Sequence, residues 1–417
     1  MTALTLDEQE QAWLAGAHGK AMQLAMQLLL AAAKVSEADE FVPIEMAHIN
    51  SCHYSGPLSL DFAEFLVAED ATLAVPTHTN ASLISCSSPH VRPTQNAPGE
   101  VTGAERLMEI YEQLGCSSMW TCAPYQEATG RPAFGAQIVG AESNAVGFFN
   151  SVLGARTNKY GDLLDISAAM TGRVPLAGLH TDDARRATHV FDVGQLSTER
   201  LRDPNLYHLL GVLLGQRVGS EVGIFTGLAA ASEDQLKAIA AGAAAAGGVD
   251  MFHVEGITPE AETLDAATQG IRPTTTTAIT DADLLASAAI LSSADLDGPL
   301  SAVCLGTPHF SVSEFEEMLA ILDGRRVHED ITFLVTTSRS VAAEIDLRGW
   351  GAVLGSLGVD VVLDTCTYYT PRATGIDGLA MTNSAKWAYY AQGMLDVPVA
   401  FASLERCVES AVSGQLR

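Results

Sequence analysis

Apolar runs of Val, Ile, Leu and Phe recur along the chain, and most of them lead through polar residues into a helix-like stretch. They are EFVPIEMAHIN (40–50), ATLAVPT (71–77), EVGIFTGL (221–228), DMFHVEGIT (250–258), LSAVCLGT (300–307), DITFLVTT (330–337) and VDVVLDTC (359–366). Helical patterns at 18–34, 60–70 and 311–324 fall between or beside them, and SVAAEIDLRGWGAVLGSLG reads as one more helix. Thr5–Glu8 and Ser232–Gln235 have the form of capping boxes. Continuous apolar strands joined by helices predict an α/β fold with parallel sheets. In such folds ligands lie at the carboxyl ends of strands. His48, the Thr307-Pro308-His309 turn and Cys366 stand at such ends.

A chain of 417 residues exceeds one ordinary core, so several domains are expected. The alternation divides it into an N-terminal α/β part (1–115), a Gly/Ser/Asn/Thr-rich middle of loops and helices (116–210) and a second α/β region (211–417). No repeat of fixed period is present. Long polar stretches hung on a scaffold are where sites tend to form.

The net charge of −27 excludes nucleic acid and anionic membrane surface as partners. The acidic N-terminus lacks the pattern of a signal peptide, and AMQLAMQLLLAAA is too short to span a bilayer. A cytoplasmic protein is expected. Seven cysteines with no C-x-x-C pair argue against a disulfide framework or a zinc ribbon.

Cys52, Cys122 and Cys366 each open a polar loop in a distant segment. By spacing alone they are either three separately buried thiols or three thiolates that converge on an iron centre with one open coordination position. Glu142-Ser143-Asn144 and Asn150-Ser151 with Arg156-Thr157 suit a carboxylate or phosphate, Arg156 supplying a fork of donors. Asn383 and Ser384 precede Lys386, one of only five lysines, in the pattern of an anion site at a helix start. His48, His309 and His180 are candidates for acid–base chemistry or for orienting other groups. P-loop, nucleophile-elbow and zincin motifs are absent.

Taken together, HINSCHYSG, WTCAPY, GAESNAVGFFNSVLGARTNKYGD, FHVEGITPEA, LGTPHFS, DTCTYYTP and TNSAKWAYYA resemble the aconitase X family nearly end to end. The resemblance implies an aconitase-like scaffold and a hydro-lyase. In that chemistry iron accepts the leaving hydroxyl while a base takes the proton from the adjacent carbon. It implies Cys52, Cys122 and Cys366 as ligands of an iron–sulfur cluster of the 2Fe–2S type, with mononuclear iron or a larger cluster as alternatives, and Cys304 as an alternative ligand. His48, Lys386 and His309 would be catalytic. Glu142, Ser143, Asn150, Ser151, Arg156, Thr157, Thr307, Asn383 and Ser384 would bind a small hydroxy-acid substrate.

Two activities occur in the family, on cis-3-hydroxy-L-proline in the bacterial type and on mevalonate 5-phosphate in the archaeal type. Thr307 stands where the archaeal type has a cysteine, and His48, Asn50, Cys52 and Tyr54 fit the bacterial pattern. The first activity is therefore expected, with the second and a cluster-free binding or assembly subunit as alternatives. His53, Ser55 and His78 depart from the family pattern close to the expected site. The small swivelling domain of aconitases has no counterpart in the chain, so a separate small subunit is expected.

Overall fold

The computed structural model describes residues 4–88, 98–293, 299–369 and 376–417; part of the glycine-containing loop after Tyr369 therefore lies outside the described residues. Helix starts follow the capping logic of the sequence. Asp7, Ser232, Thr280 and Ser311 each accept a bond from the backbone of the third helical residue, whose side chain bonds back. The first of these boxes is Asp7 with Glu10 rather than Thr5 with Glu8. The helix expected after residue 338 is two, Arg339–Leu347 and Trp350–Leu357, because Gly349 takes a positive φ between them.

The first part of the chain holds β1 (Phe41–Pro43), β2 (Ala47–Ile49), β3 (Thr77–Thr79), β4 (Val139–Gly140) and β5 (Arg173–Pro175). The single strand expected over 40–50 is divided because its two ends change partners. β1 pairs antiparallel with β5, whereas β2 lies parallel between β3 and β4. β6 (Ala187–Asp192), β7 (Val222–Thr226), β8 (Phe252–Val254) and β9 (Thr275–Ala278) form a second parallel sheet in the order β8-β7-β6-β9.

The third is built from β10 (Leu300–Phe310), β11 (Thr332–Thr337), β12 (Asp360–Leu363), β13 (Leu379–Thr382) and β14 (Val399–Phe401). Its order is β12-β11-β10-β13-β14, again parallel throughout. The parallel α/β architecture read from the sequence is thus the observed one. Its consequence is positional. Glu142 follows β4, His309 lies at the end of β10, Cys366 follows β12 and Lys386 follows β13. None of the described helices is long and apolar enough to cross a membrane.

Candidate metal centre

Two of the three expected cysteines meet. The Sγ of Cys366 lies 3.8 Å from that of Cys122, although 244 residues separate them. Cys122, His309 and Cys366 offer ligand atoms that all lie within 4.8 Å of one another. All three are buried. Two sulfurs on one tetrahedral metal with bonds of about 2.3 Å stand about 3.8 Å apart, so the pair has the spacing that a thiolate-bound metal requires.

The charges around the pair favour a thiolate. Burial pushes the Cys122 thiol up, but the S–H of Cys366, with His309 and Lys386 nearby, outweighs burial and brings it below its ordinary value. Cys366, which donates to Cys122 and is buried, is raised. One proton is therefore left to two sulfurs, and a metal bound by both would displace it.

Lys386 sits in the first turn of the helix Ala385–Met394 and forms a buried ion pair with Glu142. Its ammonium also bonds Asn144 Oδ1 at 2.9 Å and Ser143 Oγ at 3.3 Å. Burial opposes the charge, but Glu142, Cys122, Tyr390 and Cys366 outweigh it and hold the lysine protonated. Glu142 is the N-cap of Ser143–Ser151, so two helix starts converge on this pair. Asn144 carries the link onward, its Nδ2 donating to the Cys122 carbonyl at 3.0 Å. Ser384 caps the lysine's own helix and donates to the Thr307 carbonyl. The Thr307 hydroxyl is buried with no partner among the described residues.

His48 donates from Nε2 to the Thr121 carbonyl at 3.0 Å, and its Nδ1 is buried without a partner among the described residues. Burial lowers its pKa to about 4, so Nδ1 carries a lone pair at neutral pH. His78, on the adjacent strand, is also buried and lowered.

Other expected site residues stand apart from this cluster. The Cys52 Sγ turns back onto the carbonyls of Ile49 (3.3 Å) and Asn80 (3.7 Å), and Cys52 is outside the Cys122–His309–Cys366 group. The turn after β2, closed by the His53 amide on the Asn50 carbonyl, folds its thiol against the strand it follows. Asn150 is used up by Thr157, Asp250 and Arg185, and Ser151 Oγ accepts from the Phe252 amide. Thr157 bonds Gly140 and Asn158. Arg156 pairs with Asp182 and the His180 carbonyl. His180 is held by Tyr160 and Gln137. Asn150 and Ser151 tie their helix to Arg185, Asp250 and Phe252, while Arg156, Thr157 and His180 bond within residues 137–182; all five lie outside the Cys122–His309–Cys366 group. Asn383 lines a separate cleft beside Asp234 and Glu314. Cys304 is buried on β10, and burial pushes it up to about 12.

Sequence reasoning did not single out Thr121, Thr365 or Lys237. Thr121 and Thr365 immediately precede the two cysteines. Lys237 was legible as a lone lysine in an alanine-rich helix, and it is buried against Asp234 and Glu314.

Known proteins carry the same organisation. Models of the aconitase X first, second and third domains match residues 3–183, 187–289 and 300–413. The chain is 41% identical to a cis-3-hydroxy-L-proline dehydratase of Pseudomonas aeruginosa, over 98% of this chain and 70% of that protein. It is 35% identical to one from Hypocrea jecorina, over 99% and 69%. To the phosphomevalonate dehydratase large subunit of Thermococcus kodakarensis it is 32% identical, over 92% and 94%. The holo-form crystal structure of aconitase X from the same archaeon superposes with a TM-score of 0.86 at 29% identity, covering 98% of this chain and all of that one. The chain belongs to the aconitase X family.

Proposed function

We propose that this chain is a hydro-lyase that dehydrates cis-3-hydroxy-L-proline to pyrroline-2-carboxylate. The observation that carries the reading is the buried Cys122–Cys366 pair beside the Lys386–Glu142 ion pair. The 41% and 35% identity to dehydratases of that name supports the substrate. Cys122 and Cys366 would hold an iron or iron–sulfur centre of the 2Fe–2S type, which when bound supplies an electron-pair acceptor for the departing hydroxyl.

The chain's own residues account for the rest. Lys386 is protonated and fully engaged by three acceptors, so it serves as a fixed positive charge rather than a base. Together with the starts of Ser143–Ser151 and Ala385–Met394 it favours the substrate carboxylate and the charge that builds on it as the Cα proton leaves. His48 Nδ1, with its lone pair, is the group able to receive that proton. Burial of the cluster excludes water from these charges.

The archaeal relatives are named large subunits, which supports a further, smaller polypeptide completing the site. The absence of a cysteine at Thr307 weighs against mevalonate 5-phosphate.

The test is anaerobic iron reconstitution of the chain, alone and with a candidate small subunit co-expressed, followed by incubation with each substrate. Pyrroline product from cis-3-hydroxy-L-proline alone is expected, with loss of iron and product in Cys122→Ala and Cys366→Ala. Iron-loaded protein that turns over only mevalonate 5-phosphate would reverse the substrate assignment. A colourless, iron-free protein would favour the binding or assembly reading.

A further inference from the structure

His309 touches both cysteine loops at once. Its Nε2 lies 3.0 Å from the Thr365 carbonyl, one residue before Cys366. Its Nδ1 lies 2.8 Å from Thr121 Oγ1, one residue before Cys122. Its backbone N–H points at Cys122 Sγ at 3.4 Å. Its carbonyl accepts from Gln126 Nε2 at 2.9 Å and from Lys237 Nζ at 3.4 Å. The residue is wholly buried.

Hydrogen-bond arithmetic places a hydrogen on Nε2. A carbonyl only accepts, so Nε2 carries the hydrogen. The Thr121 hydroxyl already accepts from the Ala123 amide at 3.1 Å. Its hydrogen is free to go to Nδ1, the pairing that leaves both ring nitrogens satisfied. Both ring nitrogens are thereby committed, one to each loop. A direct bond from His309 to a metal would have to break one of them, and so would proton exchange with a substrate.

We propose that His309 is a positioning residue, an imidazole whose Nε2–H is given to the Thr365 carbonyl, that clamps the Thr121-Cys122 loop to the Thr365-Cys366 loop and holds the two sulfurs at metal-binding spacing. Lys237 and Gln126 anchor the clamp from behind. Lys237 is itself fixed by Asp234 and Glu314, so the clamp connects the thiol pair to the helix Glu233–Gly247. The inference rests on the iron-site reading above, but the clamp can be examined without metal.

Three variants separate the roles. His309→Gln keeps a donor at the Nε2 position, His309→Asn keeps an acceptor at the Nδ1 position, and His309→Ala keeps neither. In metal-free protein, nitrogen NMR of labelled histidine is expected to show the Nε2–H tautomer at His309. Iron affinity is expected to fall in His309→Ala by the roughly 10–100-fold typical of a lost partner behind a ligand. The Gln and Asn variants should recover part of it. The absorption and paramagnetic resonance of whatever iron still binds should match wild type, and KM should stay near wild type while the iron-loaded fraction sets the rate.

An altered iron spectrum in all three variants would make His309 a ligand and overturn the proposal. Unchanged iron affinity with a collapse of kcat alone would make it a catalytic group and overturn it equally. Should His309→Ala fail to fold, Thr121→Val, with Thr121→Ser as its rescue, removes the same bond at nearly constant volume. If the wild-type chain binds no iron, the proposed function fails, while the tautomer in metal-free protein and the Cys122 alkylation rate in the variants still decide whether the clamp exists.

Discussion

Two buried thiol pockets lie in this molecule, and they have opposite electrical surroundings. In one, Cys122 and Cys366 share a proton beside the ammonium of Lys386, and the Cys122 thiol is lowered. In the other, Cys52 and Cys116 sit with the carboxylate of Asp165. Burial, each other's charge and Asp165 push Cys52 far up, while burial and Asp165 push Cys116 up to about 12. Burial is the same in both, so burial does not separate a ligand-ready sulfur from an inert one. What separates them is the S–H that Cys366 donates to Cys122, with His309 and Lys386 beside it, against the Cys116 sulfur and the Asp165 carboxylate beside Cys52. Lys386 and Asp165 are equivalent devices of opposite sense: each is held by hydrogen bonds at the end of a parallel strand or the start of a helix.

Removing the cation should blur this contrast most. Lys386→Met leaves Glu142 buried without its partner, a change that costs about 3–5 kcal/mol in comparable buried pairs. Urea unfolding reads that loss, and adding Glu142→Gln should restore part of it. The chemical signature is separate from stability. Lys386 lowers the Cys122 thiol, so its loss raises that pKa and moves the pH profile of Cys122 alkylation in metal-free protein to higher pH. A profile that stays in place would show that Cys366, through its S–H, and His309 account for the depressed value without the lysine.

The sequence made part of this visible. The parallel α/β plan was legible because β10, β11 and β12 are continuous apolar runs whose burial on both faces demands such a pattern. β3, β13 and β14 were not identified at their positions: strands of three or four residues leave too short a period to read, and their pairing is decided by distant neighbours. The cysteines at loop starts were visible as candidates. Which of them meet was not, because convergence depends on how the turn after Ile49 folds back while those after Trp120 and Leu363 open toward each other. Arg156 and Asn150 read as anion binders by residue type. Arg185 and Asp182, neither marked by a motif, claim them for the scaffold. Clamps such as Thr121 and Thr365 work through one hydroxyl and one carbonyl, and a carbonyl has no sequence signature.

The acidic pocket can be probed through its own pH dependence. Burial raises Asp165 from 3.8 to about 6 against the opposing bonds from Ser51 and Asn50. The folded state therefore keeps a proton that the unfolded chain releases above pH 3.8. Stability from this group is full at low pH and is lost as pH rises through about 6. A shift of this size in a fully buried group corresponds to about 3 kcal/mol. Asp165→Asn should flatten the decline between roughly pH 4 and 6 in denaturant titrations. A slope that survives the substitution would assign it to another group and remove the carboxylate from the comparison.

The smallest effect is expected where the family resemblance anticipated a large one. Cys52 turns its thiol to the carbonyls of Ile49 and Asn80 and is flanked by a carboxylate, so it offers a metal neither a free direction nor a stabilised thiolate. Cys52→Ala should cost roughly 1 kcal/mol, the scale of one small buried group, and leave iron content and the iron spectrum unchanged. Metal analysis of anaerobically reconstituted protein, set beside Cys122→Ala, reads the difference directly. If Cys52→Ala loses its iron as completely as Cys122→Ala does, the turn after β2 must reopen on loading. The two pockets would then be two halves of one site, and the charge that distinguishes them in the metal-free chain would be a property of the waiting state alone.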